Sequence, residues 1–490
     1  METLIKNGTL ITASETFGAD ILMEDEKISS VGEDLQHPNA EIIDAAGKLV
    51  MPGGIDPHVH LDLPMFGTVS SDDHYTGHKA AAFGGTTTVM DFVPLALRSP
   101  GVLAGSGATG EVEARFDNDF KYSVDLWFEK SAKAAIDYSF HMNLTRFDEK
   151  IASQIPSLRE MGITTLKVFT AYNGRLRIDD GSIFKAMQIA RENGMLVMAH
   201  CENGDVIDTL IEQALAAEHT TPGWHALTRP GWGAVESTLR VAGMASAADA
   251  SVDIVHMNMA GEVDRLKYAR ERGVKVMGET CPQYLFFTID DLRRPDGAKW
   301  ICSPPMRSAQ DNARLWEGLS EGVLQTVGTD HCPFFYDGTK PIVYEGGEIA
   351  IPGKELGKAD FTKIPNGLPG IEDRLPVLWT TGVRAGKITP NQFVAYNSTN
   401  PAKIFGLYPR KGALLPGSDA DVVIWDPEKK VTYGVERAHQ RTDYNLYEGW
   451  ELTGMPEKVF LRGKLIVDGE KWLGKAGDGQ FLKREEGEVL

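Results

Sequence analysis

Gly54-Ile55-Asp56-Pro57-His58-Val59-His60 is the stretch on which the reading of this chain turns. Read as a strand, it carries histidines at i and i+2. Strand side chains alternate between faces, so both imidazoles point the same way and can reach one ion. A similar pattern recurs downstream. His200 ends Leu196-Val197-Met198-Ala199, His256 ends Val252-Asp253-Ile254-Val255, and Asp330 follows Thr326-Val327-Gly328-Thr329. Separate apolar strands that each terminate in a metal-ligand type fit a closed barrel, because a barrel gathers its C-terminal strand ends into one ring around a shared mouth.

Working outward, residues 89–93, 124–128, 165–169 and 274–277 read as further buried strands. Helical patterns lie between the strands. Over residues 182–194, Ile183, Met187 and Ala190 share one face and Gly194 supplies a stop. Strand–helix alternation implies parallel strands, in a closed eight-stranded barrel or an open doubly wound sheet. No Gly-x-Gly-x-x-Gly follows the first strand, and the strand-end ligands favour the barrel. The expected fold is α/β, a (β/α)8 TIM-type barrel over residues 52–395.

Both chain ends read as β-structure. Leu4-Ile5 and Leu10-Ile11 flank Asn7-Gly8, a hairpin signal. Residues 21–23, 28–31, 421–425, 459–461 and 465–467 continue the pattern. Residues 1–51 and 396–474 are therefore expected to form the two parts of one small β-sandwich domain. Residues 475–490 form a charged, Gly-containing tail, either frayed or docked on a neighbouring subunit.

The chain of 490 residues is 42% apolar and 24% charged, enough for a large core and more than one domain. Its net charge of −19 argues against a nucleic-acid partner, which needs a basic surface. The four cysteines, Cys201, Cys281, Cys302 and Cys332, lack structural zinc spacing and fit a reducing compartment. The N-terminus shows no basic start followed by an apolar run, and no stretch approaches the roughly 20 apolar residues of a membrane span. A cytoplasmic protein without a membrane partner is expected. Lys167 stands out inside Thr165-Leu166-Lys167-Val168-Phe169, because a buried unpaired ammonium is costly. Either a carboxylate pairs with it, or it is a desolvated amine that has reacted with CO2. The resulting carbamate is anionic and can bridge two cations. Together with four histidines and an aspartate it suits a pair of zinc ions.

Longer strings extend this set. They include Met51-Pro-Gly-Gly-Ile-Asp-Pro-His-Val-His60, Gly84-Gly-Thr-Thr-Thr-Val-Met-Asp-Phe92, His200-Cys-Glu-Asn-Gly-Asp205, Gly278-Glu-Thr-Cys-Pro-Gln-Tyr-Leu285, Ser303-Pro-Pro-Met-Arg307 and Thr329-Asp-His-Cys-Pro-Phe334. Residues 360–374, 398–412 and 417–427 carry further ones. The HxH pair, strand lysine, two histidines and strand-end aspartate resemble the amidohydrolase superfamily, and the strings narrow the resemblance to its hydantoinase and dihydropyrimidinase group. It runs over nearly the whole chain.

The resemblance implies two divalent ions, zinc first among candidates. His58 and His60 would hold one and His200 and His256 the other. Carboxylated Lys167 would bridge them, and Asp330 would complete the first shell. Asp330 would also carry a proton from the attacking water to the departing ring nitrogen, which leaves poorly unless protonated. Tyr172 would donate to the developing oxyanion. Ser303 and Asn366 would bind the imide edge of the ring, largely through backbone groups. The implied substrates are small cyclic amides, 5-substituted hydantoins or 5,6-dihydropyrimidines, opened to N-carbamoyl amino acids by a homotetramer. Allantoinase and dihydroorotase are the enzymatic alternatives. Those relatives carry an arginine or glutamate just after HxH, whereas here Leu61-Asp62-Leu63-Pro64-Met65 is apolar apart from Asp62. A scaffold relative that has lost its ligands is the non-enzymatic alternative, and all six ligand positions are present here. Leu63, Met65, Leu95, Phe169 and Leu176 are expected to form an apolar pocket for the ring substituent. The chain departs from the group's pattern in a long connection between Val93 and Tyr122, a long segment at 336–358, and the basic run Asn173-Gly174-Arg175-Leu176-Arg177.

Overall fold

A computed structural model describes residues 2–65, 67–95 and 120–490. Most of the long connection after Val93, including residues 104–110, lies outside them. Eight strands form one parallel sheet: β1 Gly54–Val59, β2 Thr86–Val93, β3 Asp137–Asn143, β4 Thr165–Phe169, β5 Leu196–His200, β6 Val252–Ile254, β7 Val276–Thr280 and β8 Thr326–Val327. Each pairs in sequence with the next. Helices between consecutive strands pack outside, as the crossover rule for parallel strands requires. The expected barrel is present.

The strand β8 is only two residues long, so closure onto β1 relies on residues beyond it and on side chains. A bridge pairs Val59 with His331, and His60 N donates to His331 O at 2.8 Å. Arg374 lies fully buried at this seam. Its guanidinium donates to Ile55 O (2.8 Å), Val327 O (2.9 Å) and Thr86 Oγ1 (3.0 Å), which ties both edge strands together. Asp56 faces it at 4.0 Å and accepts from Thr329 N and Oγ1 at 3.1 and 2.6 Å.

Residues 124–128, read as a strand, belong instead to a helix, Phe120–Ser131. Phe120, Ser123, Val124, Trp127 and Ser131 are its buried residues, a helical spacing that a five-residue window conceals. The strand that belongs there is β3, whose Asp-Tyr-Ser-Phe-His-Met-Asn mixes buried polar and apolar groups and gives no apolar run. The helix read over 182–194 is observed at Asp180–Glu192, capped by the Asp179 side chain and followed by Gly194 at φ 60°.

Both chain ends enter one nine-stranded sheet, in which Val422–Thr432 pairs antiparallel with Leu49–Pro52. Its core joins Ile5, Leu10, Ile21 and Val50 to Val422, Ile424 and Phe460. Asn7-Gly8 is a bulge and not a hairpin turn. The strand Thr3–Ile11 runs through it, with Asn7 at φ 60° and a register shift between Ile5 and Gly8.

The tail is neither frayed nor free to dock elsewhere. Leu482 N donates to Tyr138 O (2.7 Å), Arg484 N to Gly162 O (3.0 Å) and Glu485 N to Gly406 O (3.0 Å). Leu482 is buried in a cluster with Ile55, Met90, Phe92 and Met198 from the barrel strands. The tail thus helps to floor the barrel beneath the site.

Arg374→Met should lower stability by about 3–5 kcal/mol, because it strips the seam of three hydrogen bonds and leaves Asp56 buried beside no cation. Thermal and urea unfolding against the parent protein reads this; a midpoint within error of the parent would remove Arg374 from the closure.

Candidate active site

The barrel's C-terminal mouth holds a cavity of about 180 Å³. Its lining includes His58, His60, Lys167, His200, His256 and Asp330, together with Tyr172, Ser303 and Asn366. All nine residues singled out in the sequence therefore meet in one space. The five apolar candidates, Leu63, Met65, Leu95, Phe169 and Leu176, line the same cavity.

Two groups of donor atoms form within it. One atom each from His58, His60 and Asp330 lie within 4.8 Å of one another. Asp330 Oδ1 is 3.3 Å from His58 Nε2 and 3.0 Å from His60 Nε2. In the second group, His200 Nδ1 and His256 Nε2 face each other at 3.1 Å. Burial drives the pKa values of His58, His200 and His256 below the ordinary histidine value, so these rings are neutral and keep a lone pair for a cation. Imidazole nitrogens plus a carboxylate are the donor set of zinc-class ions. At Asp330 burial acts to raise the pKa, but His58, His60 and Lys167 outweigh it and the net shift is downward.

Acidic neighbours that the sequence reading gave no role orient these rings. Glu279, in β7, bonds His58 Nδ1 at 2.7 Å and so turns Nε2 toward Asp330. Glu202 bonds His200 Nε2 at 2.9 Å and leaves Nδ1 facing His256. Arg229 donates to Glu202 at 3.0 Å, and burial of that carboxyl is outweighed by Arg229 and His200, which hold it at about 2. Carboxylates behind metal-binding histidines fix the tautomer and the ring orientation in this way. Glu202 and Glu279 both fall in the quoted strings, but nothing in the sequence shows that Glu202 turns back to His200 two residues away or that Glu279 meets His58, 221 residues away.

Lys167 is 2% exposed, and no carboxylate pairs with it among the described residues. Its Nζ lies 5.0 Å from the Phe92 ring centroid and 5.5 Å from that of Phe169. Burial pulls its pKa down to about 8, against the raising pull of Asp330, Glu279 and Asp253. Tyr172, beside His200, is held protonated, with its pKa pushed up to about 12 by burial. Asn366 Nδ2 donates to Ser303 Oγ at 3.0 Å. Tyr172, His256 and Asp330 all sit at positive φ (69°, 42° and 53°), a conformation that costs a non-glycine residue about 1–3 kcal/mol and concentrates at functional sites. In the basic run, Arg177 pairs with Asp205 at 2.7 Å, whereas Arg175 lines the cavity and is exposed.

An eight-stranded barrel with histidines converging at its C-terminal mouth defines a hydrolase of the amidohydrolase type. Residues 49–466 match the Amidohydrolase family. A D-hydantoinase of Geobacillus stearothermophilus is 43% identical over 99% of this chain and 97% of its own, and one of Streptomyces coelicolor 40% over 98% of each. The crystal structure of a dihydropyrimidinase from Brevibacillus agri superposes with a TM-score of 0.91, at 44% identity over the whole of both chains. The chain belongs to the hydantoinase and dihydropyrimidinase branch of the amidohydrolase family. No helix among the described residues is long and apolar enough to cross a membrane.

Proposed function

We propose that this protein hydrolyses the cyclic amide bond of 5-substituted hydantoins or 5,6-dihydropyrimidines. The observation that carries the reading is the meeting of two donor groups, His58/His60/Asp330 and His200/His256, in one cavity that Lys167, Tyr172, Ser303 and Asn366 also line. Those donors fit two divalent cations, zinc in this reading, with Lys167 between them as a carbamate. The amine of Lys167 adds to CO2, an N–C bond forms, one N–H proton is lost to solvent, and the side chain becomes an anion. An amine whose burial disfavours the ammonium is suited to this step. When bound, such cations lower the pKa of water and polarise a carbonyl.

The protein's own groups do the rest. Ser303 and Asn366 hold the imide edge, which presents the scissile carbonyl carbon toward the histidine ring. The Tyr172 hydroxyl, protonated at neutral pH, donates to the carbonyl oxygen as charge builds there. Asp330 accepts the proton of the attacking water and delivers it to the ring nitrogen. The water oxygen bonds to the carbonyl carbon, the ring C–N bond breaks, and an N-carbamoyl amino acid forms. Leu63, Met65, Leu95, Phe169 and Leu176 line the space left for the substituent. Their apolar character favours bulky uncharged groups over the polar substrates of allantoinase or dihydroorotase. A panel of dihydrouracil, 5-phenylhydantoin, hydantoin, allantoin and dihydroorotate tests the assignment, and turnover restricted to the last two would sink it.

The protein is further proposed to be a cytoplasmic homotetramer. The self-docked tail lends no support to this. The helix Gly231–Ala248, however, exposes Trp232 and Leu239 seven residues apart, on one face, as an apolar surface suited to a second copy. Light scattering at micromolar concentration should give an oligomer, and a monomer would refute it.

Lys167→Ala should abolish activity and lower metal content, with partial rescue by a short carboxylic acid; wild-type turnover with two ions would end the bridging role. Asp330→Asn should keep much of the metal and lose about 100- to 10,000-fold in turnover, the usual cost of a removed acid–base group. A loss below about tenfold with metal intact would argue against the proton shuttle. Leu63→Ala and Leu95→Ala should alter the kcat/KM ratio between 5-phenylhydantoin and hydantoin, since a methylene in such a pocket is worth roughly 1–3 kcal/mol. An unchanged ratio in both variants would take these residues out of the specificity pocket.

A further inference from the structure

The segment 336–358 returns to the barrel at Gly353-Lys354. Its neck is fixed by Glu355, whose carboxylate accepts from Gly338 N at 2.8 Å and from Gly353 N at 3.0 Å. A Cβ on Gly353 would lie 2.0 Å from Phe335 O, so only glycine lets the chain pass there. Lys354, the next residue, is 1% exposed. No carboxylate pairs with it among the described residues. Its Nζ donates instead to two main-chain oxygens, Ile301 O at 3.0 Å and Pro365 O at 3.1 Å.

Those oxygens belong to the two segments that present Ser303 and Asn366 to the cavity. The segments are already joined, by Gly367 N donating to Ile301 O at 3.0 Å and by Asn366 Nδ2 donating to Ser303 Oγ at 3.0 Å. Lys354 sits behind this junction and bonds to both sides of it. The Pro365 carbonyl shares its peptide unit with the N–H of Asn366. A cation on that oxygen draws electron density through the unit and makes this N–H a stronger donor. Linked hydrogen bonds strengthen one another by perhaps 10–30% each in this way. Burying an ammonium beside nothing but neutral oxygens is expensive, and burial pulls the Lys354 pKa down to about 7. A methionine would fill similar space without that cost.

We propose that Lys354 is a positioning residue for the imide edge of the substrate, spacing and polarising the Ser303–Asn366 clamp through the Ile301 and Pro365 carbonyls. The inference rests on the proposed reading that this clamp holds the ring. It ties substrate binding to the long 336–358 segment, which is otherwise a surface excursion with a short exposed hairpin, Ile342–Tyr344 and Gly347–Ile349.

The test is steady-state kinetics of the metal-loaded enzyme with hydantoin, its imide-N-methyl derivative and dihydrouracil as substrates, on the parent, Lys354→Met and Lys354→Gln, with metal content measured in each. Lys354→Met should raise KM by about tenfold or more while kcat stays within about threefold and metal content is unchanged, because the lost groups act on ring binding and not on the ions. Lys354→Gln keeps a neutral donor and should fall between parent and methionine variant; it carries the test if the methionine variant does not fold. A KM within about twofold of the parent, or a fall in kcat that follows lost metal, overturns the positioning role. A hydantoin methylated on its imide nitrogen separates the two claims, because the methyl group blocks the imide edge whatever stands at residue 354. If the parent binds it poorly and the Lys354 variants match the parent on hydantoin, only the role of Lys354 falls. If the parent takes it with the KM of hydantoin, the placement of the ring at this clamp is itself wrong.

Discussion

The barrel seam is the constraint on which the rest of this structure depends. His58 and His60 lie at the end of the first strand and Asp330 follows the last, so they meet only if the ring closes. The last strand offers two residues of ladder, too few to close it by backbone pairing alone. Arg374 and Asp56 supply the difference with buried hydrogen bonds to Ile55, Val327, Thr86 and Thr329. A buried cation and a buried anion are each costly alone, and here each offsets the other while satisfying strand-edge groups that would otherwise be orphaned.

Above the seam, charge is arranged in layers. His58, His200 and His256 face the cavity as neutral rings, and Glu279, Glu202 and Arg229 stand behind His58 and His200 to set their orientation. Below them Phe92 packs within 4.5 Å of the His58 ring and 4.7 Å of His141, an apolar layer that separates the site from the barrel floor. Leu482 from the tail joins Phe92 in that cluster. Lys167 stands over Phe92 with no paired carboxylate among the described residues, and burial disfavours its ammonium form. Lys354 is the second buried lysine near the cavity. Its Nζ bonds to two main-chain oxygens, where that of Lys167 has aromatic faces.

Much of the site was legible in the chain because its ligands sit at the ends of apolar runs. A run of four or five buried residues followed by a histidine or aspartate is a local pattern, and the barrel turns it into a shared position. Glu202, just past the end of β5, and Glu279, in β7, carry no assignment in the sequence because an acidic residue at such a place is equally a surface group until its partner is known. Their partners are two and 221 residues away. Strand β3 was missed, and the helix Phe120–Ser131 taken for a strand, for a related reason. Asp137, Ser139 and His141 are tolerated inside the barrel only because Lys411, Leu482, Thr165 and Pro57 satisfy them from elsewhere in the chain.

The sequence by itself determined the class of fold, the strand-end ligand types and the apolar character of the residues around the cavity, because periodicity and residue chemistry are local properties. Tertiary structure decided which polar residues could be buried, where the tail went and which lysine bonds to the main chain beside Ser303 and Asn366. Asn7-Gly8 became a bulge because the neighbouring strands imposed a register on it, and the tail became a floor because the barrel left apolar surface uncovered at its lower end. Each of these outcomes turns on the desolvation of a group by residues far away in the chain, and that energy has no value until the partners are in place.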